Sequence, residues 1–281
     1  MHLDRYESVE RFLSRAGPFL AAREAEHNLL LGISSSLQRD PQAYEAPPYL
    51  ATVSEGNQVV AAVLRTPPFN MVLSEMDKPA ALQPVLDDLR GRPLPGVVGP
   101  PAAVRGFADG WVAMVGGAWE VVLKERIFQL TDVIAPRPAD GTPRLAIHGD
   151  RSLIEEWLVA FGSEALNDVD SERIRLGLDD WERGGGRRFW LWEAAGRPVS
   201  MVAAWGETPN GIRIGPVYTP PSDRGNGFAS NLTAWVSRAM LKEGRRFCFL
   251  YTDLANPTSN KIYQAIGYVP ISDALMVAFT P

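Results

Sequence analysis

The 281 residues, 46% of them hydrophobic and 22% charged, suffice for one large or two medium domains and exclude a disordered or fibrous chain. With 28 basic against 33 acidic side chains the net charge is -5, which gives nucleic acid or anionic lipid no electrostatic footprint, so neither is an expected partner. The single cysteine, Cys248, excludes a disulfide framework or a cysteine-rich zinc site, and His2, His27 and His148 form no pair at ligand spacing, so no metal is expected. No run of signal-peptide character opens the chain, and none approaches the roughly 18 to 20 apolar residues of a membrane span; the reading is of a soluble, cytoplasmic protein.

In chain order, residues 49–54 and 59–64 read as a hairpin turning at Gly56. A short apolar strand over 96–99 ends at Pro100-Pro101 and is followed by a helix-like segment. Residues 135–143 hold three prolines and a glycine, which exclude both helix and central strand. This breaker lies almost at the midpoint. A shift of 140 positions aligns Gly56, Val59 and Asn70 with Gly196, Val199 and Asn210, so the chain reads as two copies of one α+β unit, over 1–137 and 144–281.

The second half reads as helices over 152–161 and 171–181, a hairpin (189–192 and 199–205), a strand (212–218), a helix (227–243), a strand (247–252) and a short helix (259–266). The strand-helix-strand portion implies a parallel pair beside an antiparallel hairpin, hence a mixed sheet flanked by helices. The pattern in which an apolar strand stops at a proline pair occurs twice, at Gly96 to Pro101 and at Gly215 to Pro221. This echo sets 100–108 of the first half opposite the loop that follows 212–218; lacking paired glycines, that stretch is not expected to cradle a phosphate.

The chemistry concentrates in Thr219-Pro220-Pro221-Ser222-Asp223-Arg224-Gly225-Asn226-Gly227-Phe228-Ala229. A glycine-rich turn that opens a helix directly after a strand presents free backbone N–H groups and a positive helix end, a combination that favours a phosphate or pyrophosphate. Gly225 and Gly227 lack the Cβ atoms that would hold a ligand off those amides, and Arg224 adds charge. A Walker loop is excluded because the chain has no Gly-Lys dipeptide. A dinucleotide fingerprint would want glycine at Ser230 and a tighter turn, although Asp253 after the next strand keeps a nucleotide-binding oxidoreductase as a third alternative.

These residues resemble the GNAT acetyltransferase superfamily. Its acetyl-CoA signature, Arg/Gln-x-x-Gly-x-Gly/Ala, is matched by Arg224, Gly227 and Ala229. A second signature is matched by Asn256, Ser259, Tyr263, Gly267 and Tyr268, one helix and one strand further on. The resemblance is clear over about 146–275, and the first half resembles a degenerate copy.

What the resemblance implies is a tandem GNAT-like protein whose C-terminal domain moves an acetyl group from acetyl-CoA to a primary amine, on a small molecule or a peptide. The amine attacks directly, through a tetrahedral intermediate. The pantetheine arm would lie along the edge of strand 212–218, bonded to backbone groups of Val217 and Thr219 with Tyr218 between them, and an adjacent N–H would polarise the thioester carbonyl. The loop Arg224, Gly225, Asn226, Gly227, Phe228 and Ala229 would take the pyrophosphate. Asn256 and Ser259 would approach the arm, and Tyr263 would give a proton to the departing sulfur.

The same fold could also serve as a non-catalytic acyl-CoA sensor or scaffold. Asn256 reads equally as a helix cap, and Tyr263 also reads as a buried packing aromatic. Glu207 and Asp253 are candidate bases by position only. The acidic run Glu164, Asp168, Asp170, Glu172, Asp179, Asp180 and Glu182 reads first as a solvated face and second as a wall for a cationic acceptor. Trp190 and Trp192 should share one face of the sheet as core, Cys248 reads as an inert buried thiol, and His148 has no nucleophile-elbow serine to make a triad with.

Overall fold

The computed structural model describes residues 1–42, 44, 46–166 and 171–281. They form two compact units, one of Met1–Ile127 with Ile271–Pro281, the other of Phe128–Pro270. The division expected at 137/144 differs from these units at both ends: residues 128–143 group with the second unit, and the last eleven residues of the chain group with the first.

The first unit contains β1 (His2–Arg5), α1 (Val9–Ala21), α2 (Asn28–Arg39), β2 (Tyr49–Glu55), β3 (Gln58–Arg65) and β4 (Met71–Leu73). After these come α3 (Leu82–Leu89), β5 (Gly96–Gly99), α4 (Pro101–Val115) and most of β6 (Ala118–Leu130). β1, β2, β3 and β4 pair antiparallel in succession, and β4 pairs parallel with β5. The outer edge of β5 is taken by the chain's last strand, β12 (Val269–Thr280), running antiparallel with Leu275 opposite Gly99.

Side-chain alternation along β2 and β3 splits the unit's core in two. Leu50, Ala62 and Leu64 face α1 and α2, where Phe12, Ala16 and Leu20 form the apolar stripe of α1. Tyr49, Ala51 and Val63 face α3 and α4, against Val85, Phe107 and Trp111.

In the second unit the elements are β7 (Thr142–Leu145), α5 (Arg151–Phe161), α6 (Ser171–Glu182), β8 (Arg188–Ala194) and β9 (Arg197–Trp205). They continue as β10 (Gly211–Tyr218), α7 (Phe228–Lys242), β11 (Phe247–Asp253) and α8 (Pro257–Ala265). β7 to β10 pair antiparallel in succession, and β10 pairs parallel with β11. The mixed sheet expected from the sequence is present, within two residues at each expected boundary. Phe189, Leu191 and Met201 pack against α5 and α6 on one face. Trp190 and Trp192, both buried, share the opposite face with Ile212, Ile214, Cys248 and the apolar side of α7, as their spacing predicts.

Topology corrects the sequence echo. β10 lies between an antiparallel β9 and a parallel β11; in the first unit the strand between an antiparallel and a parallel neighbour is β4, between β3 and β5. β4 and not β5 is therefore the counterpart of β10, and the segment matching the glycine-rich loop is 74–81, which leads into α3. The echo between Gly96 and Gly215 misleads because a proline pair after any short strand looks the same. The 140-residue shift, which sets Asn70 before β4 and Asn210 before β10, has the correct register.

Candidate functional site

The site is built where β10 and β11 stop pairing. Their parallel ladder runs through Gly211–Phe247, Ile212–Cys248 and Arg213–Phe249 and goes no further. β10 nevertheless continues to Tyr218 and β11 to Asp253, so residues 214–218 keep an edge that β11 does not use. A bulge marks the parting: Ile214 faces Ala204 and Val217 faces Val202, so Gly215 and Pro216 oppose one residue of β9. Trp205 donates its indole N–H to the Gly215 carbonyl at 2.7 Å, satisfying a group that the bulge releases from the ladder.

Beyond β10 the chain is pinned at several points before α7 begins. Ser200 Oγ donates to the Tyr218 carbonyl at 3.1 Å and lies 2.8 Å from the Thr219 hydroxyl. The Asp223 carboxylate, buried, takes two hydrogen bonds from Arg197 at 2.5 and 3.0 Å, and that pairing holds its pKa below the usual carboxylate range. Asn226 Nδ2 donates to the carbonyls of Asp223 (3.1 Å) and Arg224 (3.4 Å). Asn231 Nδ2 donates to Gly227 (3.0 Å) and Arg137 (2.9 Å).

Gly225 (φ 83°) and Gly227 (φ 78°) both lie in the left-handed region. The N-cap Gly227 has no side chain with which to cap α7, and the N–H groups of the first turn at Phe228, Ala229 and Ser230 have no helical carbonyl to bond. A short left-handed turn with a bare helix N-terminus is the shape that backbone recognition of a pyrophosphate requires.

Arg224 departs from its expected role. Its Nε donates to the Thr219 carbonyl at 2.9 Å and its Nη2 to Glu164 at 2.5 Å. Glu164, in the π-helical turn Gly162–Leu166 after α5, also accepts from the Tyr218 phenol at 3.0 Å. The Arg224 guanidinium holds the Glu164 carboxyl below its usual range, while burial and the nearby carboxylate push the Tyr218 phenol up. Arg224 thus braces the loop with its charge already matched.

On the far side of the parting, Asn256 accepts a hydrogen bond from the Ser259 N–H at 3.1 Å and caps α8, with Pro257 at the first helical position. Of the two roles read for Asn256, this is the one the structure displays. Tyr263 is half-buried against the α7-side core and meets the Tyr268 ring edge-on at 6.0 Å. Burial alone raises its phenol pKa. Val217 and Phe228 also lean on this core.

Both bases named from the sequence have a hydrogen-bond or ion-pair partner. Glu207 pairs with Arg245 at 2.7 Å, and Asp253 accepts the Ala255 N–H at 2.8 Å. In the acidic run, Asp179 is bonded to Arg151 and Arg175, and Glu182 to Arg151. Asp168 and Asp170 lie outside the described residues, as does the side chain of Glu172. Burial pushes the Cys248 thiol up to about 12, which makes it inert. Among the described residues no three His, Cys, Asp or Glu side chains cluster as a metal site, and no helix is long and apolar enough to cross a membrane.

Sequence reasoning missed Ser200, Arg197, Asn231, Trp205 and the partnership of Glu164 with Arg224. Only Asn231, one turn after Gly227 on the same helix face, carried a local signal.

Residues 195–277 match the FR47-like protein family model. No curated protein matches the chain. Among solved structures, a Drosophila protein is similar over 99% of this chain and 98% of its own, with a TM-score of 0.71 and 12% identity. A GCN5-related N-acetyltransferase from Kribbella flavida is similar over 89% of this chain and 95% of its own (TM-score 0.57, 17% identity). A tandem GNAT protein from the clavulanic acid biosynthesis pathway is similar over 100% and 99% (TM-score 0.59, 15% identity). With helix-flanked mixed strand pairing in each unit and a full-length tandem GNAT neighbour, the chain has the GNAT fold in tandem.

Proposed function

We propose that the second unit binds acetyl-CoA and transfers its acetyl group to a primary amine. The observation that carries this reading is the early end of the β10–β11 ladder beside the left-handed glycine turn. A strand edge that β11 leaves and a helix N-terminus with glycine at its cap lie in sequence, as a ligand with an amide-bearing arm and a pyrophosphate would need. The residues fit such a substrate. A Cβ placed on Gly225 would meet nothing within 4 Å, so backbone approach is open there.

In this reading, N–H groups along 214–219 hold the arm and the thioester carbonyl, and they favour the negative charge that develops as an amine attacks. The amides of 225–229 take the pyrophosphate. Tyr263, protonated throughout the neutral range because burial disfavours its phenolate, donates its proton to the departing thiolate. With Glu207 and Asp253 engaged elsewhere, the ammonium proton leaves through water.

A second reading, binding of an acyl-CoA without turnover, draws on the same engagement of both candidate bases and on the capping role of Asn256. The test is calorimetric titration with acetyl-CoA, NADH and ATP, followed by thiol release with a panel of amines. Acetyl-CoA binding with amine-dependent thiol release supports the transferase, and binding without release under every amine supports the sensor. NADH binding in place of acetyl-CoA overturns both.

A further inference from the structure

The glycine-rich loop carries one cation at its signature position, and that cation is already spoken for. The Arg224 guanidinium gives Nη2 to Glu164 at 2.5 Å and Nε to the Thr219 carbonyl at 2.9 Å. Glu164 is fixed in turn by the Tyr218 phenol at 3.0 Å, so the carboxylate is aimed at the guanidinium by a residue of the strand itself. Both charged groups are about half exposed (side chains 49% and 43%), so a soluble anion can reach the pair. The adjacent amides of 225–229 form the anion-seeking turn. A polyanion settling there faces an arginine whose field is cancelled by a carboxylate within hydrogen-bond distance.

We propose that Glu164 is a built-in competitor for Arg224: its carboxylate holds the guanidinium that a bound pyrophosphate would otherwise engage, weakens CoA binding and hastens CoA release. This rests on the acetyl-CoA reading of the loop. Its physical content is an exchange of partners. Arg224 gives its Nη2 hydrogen bond either to Glu164 or to the phosphate, and the ligand's net gain is the difference between the two. A residue that merely braced the loop would act with the opposite sign, because its removal would loosen the site and weaken binding. Tyr218 serves as the positioning residue of the competitor.

The experiment titrates CoA into the full-length wild type, Glu164→Gln, Arg224→Gln and the double variant, with release rates from stopped flow and unfolding midpoints to check integrity. Gln at 164 keeps one carbonyl acceptor for Arg224 and turns an amide N–H to the Tyr218 hydroxyl, which can accept as well as donate, so the charge goes while both contacts can persist. Expected are a roughly fivefold tighter Kd and a correspondingly slower release for Glu164→Gln, the tightening shrinking as salt is raised. Arg224→Gln should bind a few-fold more weakly than wild type, and Glu164→Gln should have no further effect on that background. Unchanged or weaker CoA binding by Glu164→Gln overturns the proposal and leaves the acetyl-CoA reading standing. A gain that persists in the double variant also overturns it, since the carboxylate would then act by simple repulsion. If the wild type binds no CoA, the reading and the proposal fall together. Should Glu164→Gln lower the unfolding midpoint markedly, Glu164→Asp, which keeps the charge but shortens the reach, replaces it with the same expected sign.

Discussion

The β4–β5 pair and the β10–β11 pair are the same motif treated in two ways. In the second unit the strands pair for three residues and then separate, a bulge at Gly215 and Pro216 breaks the register, and the chain leaves through two left-handed glycines. In the first unit β4 is only three residues long and pairs with β5 through Met71–Val97 and Val72–Val98. A Cβ on Gly99 would lie 2.7 Å from the Leu73 carbonyl, so no gap exists for an arm to enter. The connection after β4, Ser74 to Ala81, contains no glycine and carries Glu75 and Asp77. Its first amides are consumed internally: Ser74 N–H bonds to the Ala62 carbonyl, and Glu75 N–H bonds to Nε2 of the buried His27. The second unit thus has a length of β10 that β11 leaves, whereas in the first unit the amides that follow β4 are already hydrogen-bonded within the unit.

The comparison can be broken or sharpened in order of effect. The largest effect is expected from Tyr263→Phe, which should lower the rate of amine-dependent thiol release about 100-fold while calorimetric CoA affinity is spared; an unchanged rate removes its role as acid. Next is Gly227→Val, which forces a β-branched residue to φ 78° at a strain of about 1–3 kcal/mol. CoA affinity should fall at least tenfold by titration, and undiminished affinity would place the phosphate elsewhere.

In the first unit, Gly99→Ala should lower the unfolding midpoint by several degrees in calorimetry, through the clash with the Leu73 carbonyl. A midpoint at the wild-type value would mean that β4 and β5 can separate after all. Trp205→Phe leaves the bulged Gly215 carbonyl without its indole donor, a loss of about 1 kcal/mol readable by denaturant titration.

The smallest effect is a pH dependence. Burial lowers the pKa of His27, so below its unfolded value of about 6.5 the unfolded chain binds a proton that the folded chain refuses. Stability contributed by neutral His27 is full above that value and is lost as the pH falls from about 6.5 toward the lower folded pKa. In His27→Gln the slope of stability against pH over this window should flatten; an unaltered slope would assign the acid sensitivity to other groups.

What the sequence disclosed was local. The run from Arg224 to Ala229 follows a strand and opens a helix, and that context alone locates the glycine turn that the structure shows at Gly225 and Gly227. Asn256 followed by Pro257 announces a helix start. β4 left no trace because three residues between loops have no period to read. The fate of Arg224 was equally hidden, since its partner Glu164 stands sixty positions earlier on another element. Nothing in the residues around Arg224 tells whether its charge is available or matched. The early end of the β10–β11 ladder is likewise a matter of pairing between strands and is carried by no single residue.

The placement of residues 271–281 also sets an order of events during synthesis. The outer edge of β5, Gly96 to Gly99, is closed by β12, so a nascent chain that has emitted just the first half still displays this apolar strand edge unpaired by β12. Residues 128–270 can complete their own unit in the meantime. The half made first is therefore finished last, and while the ribosome works through the second half that edge is the kind of unpaired strand that invites non-native pairing.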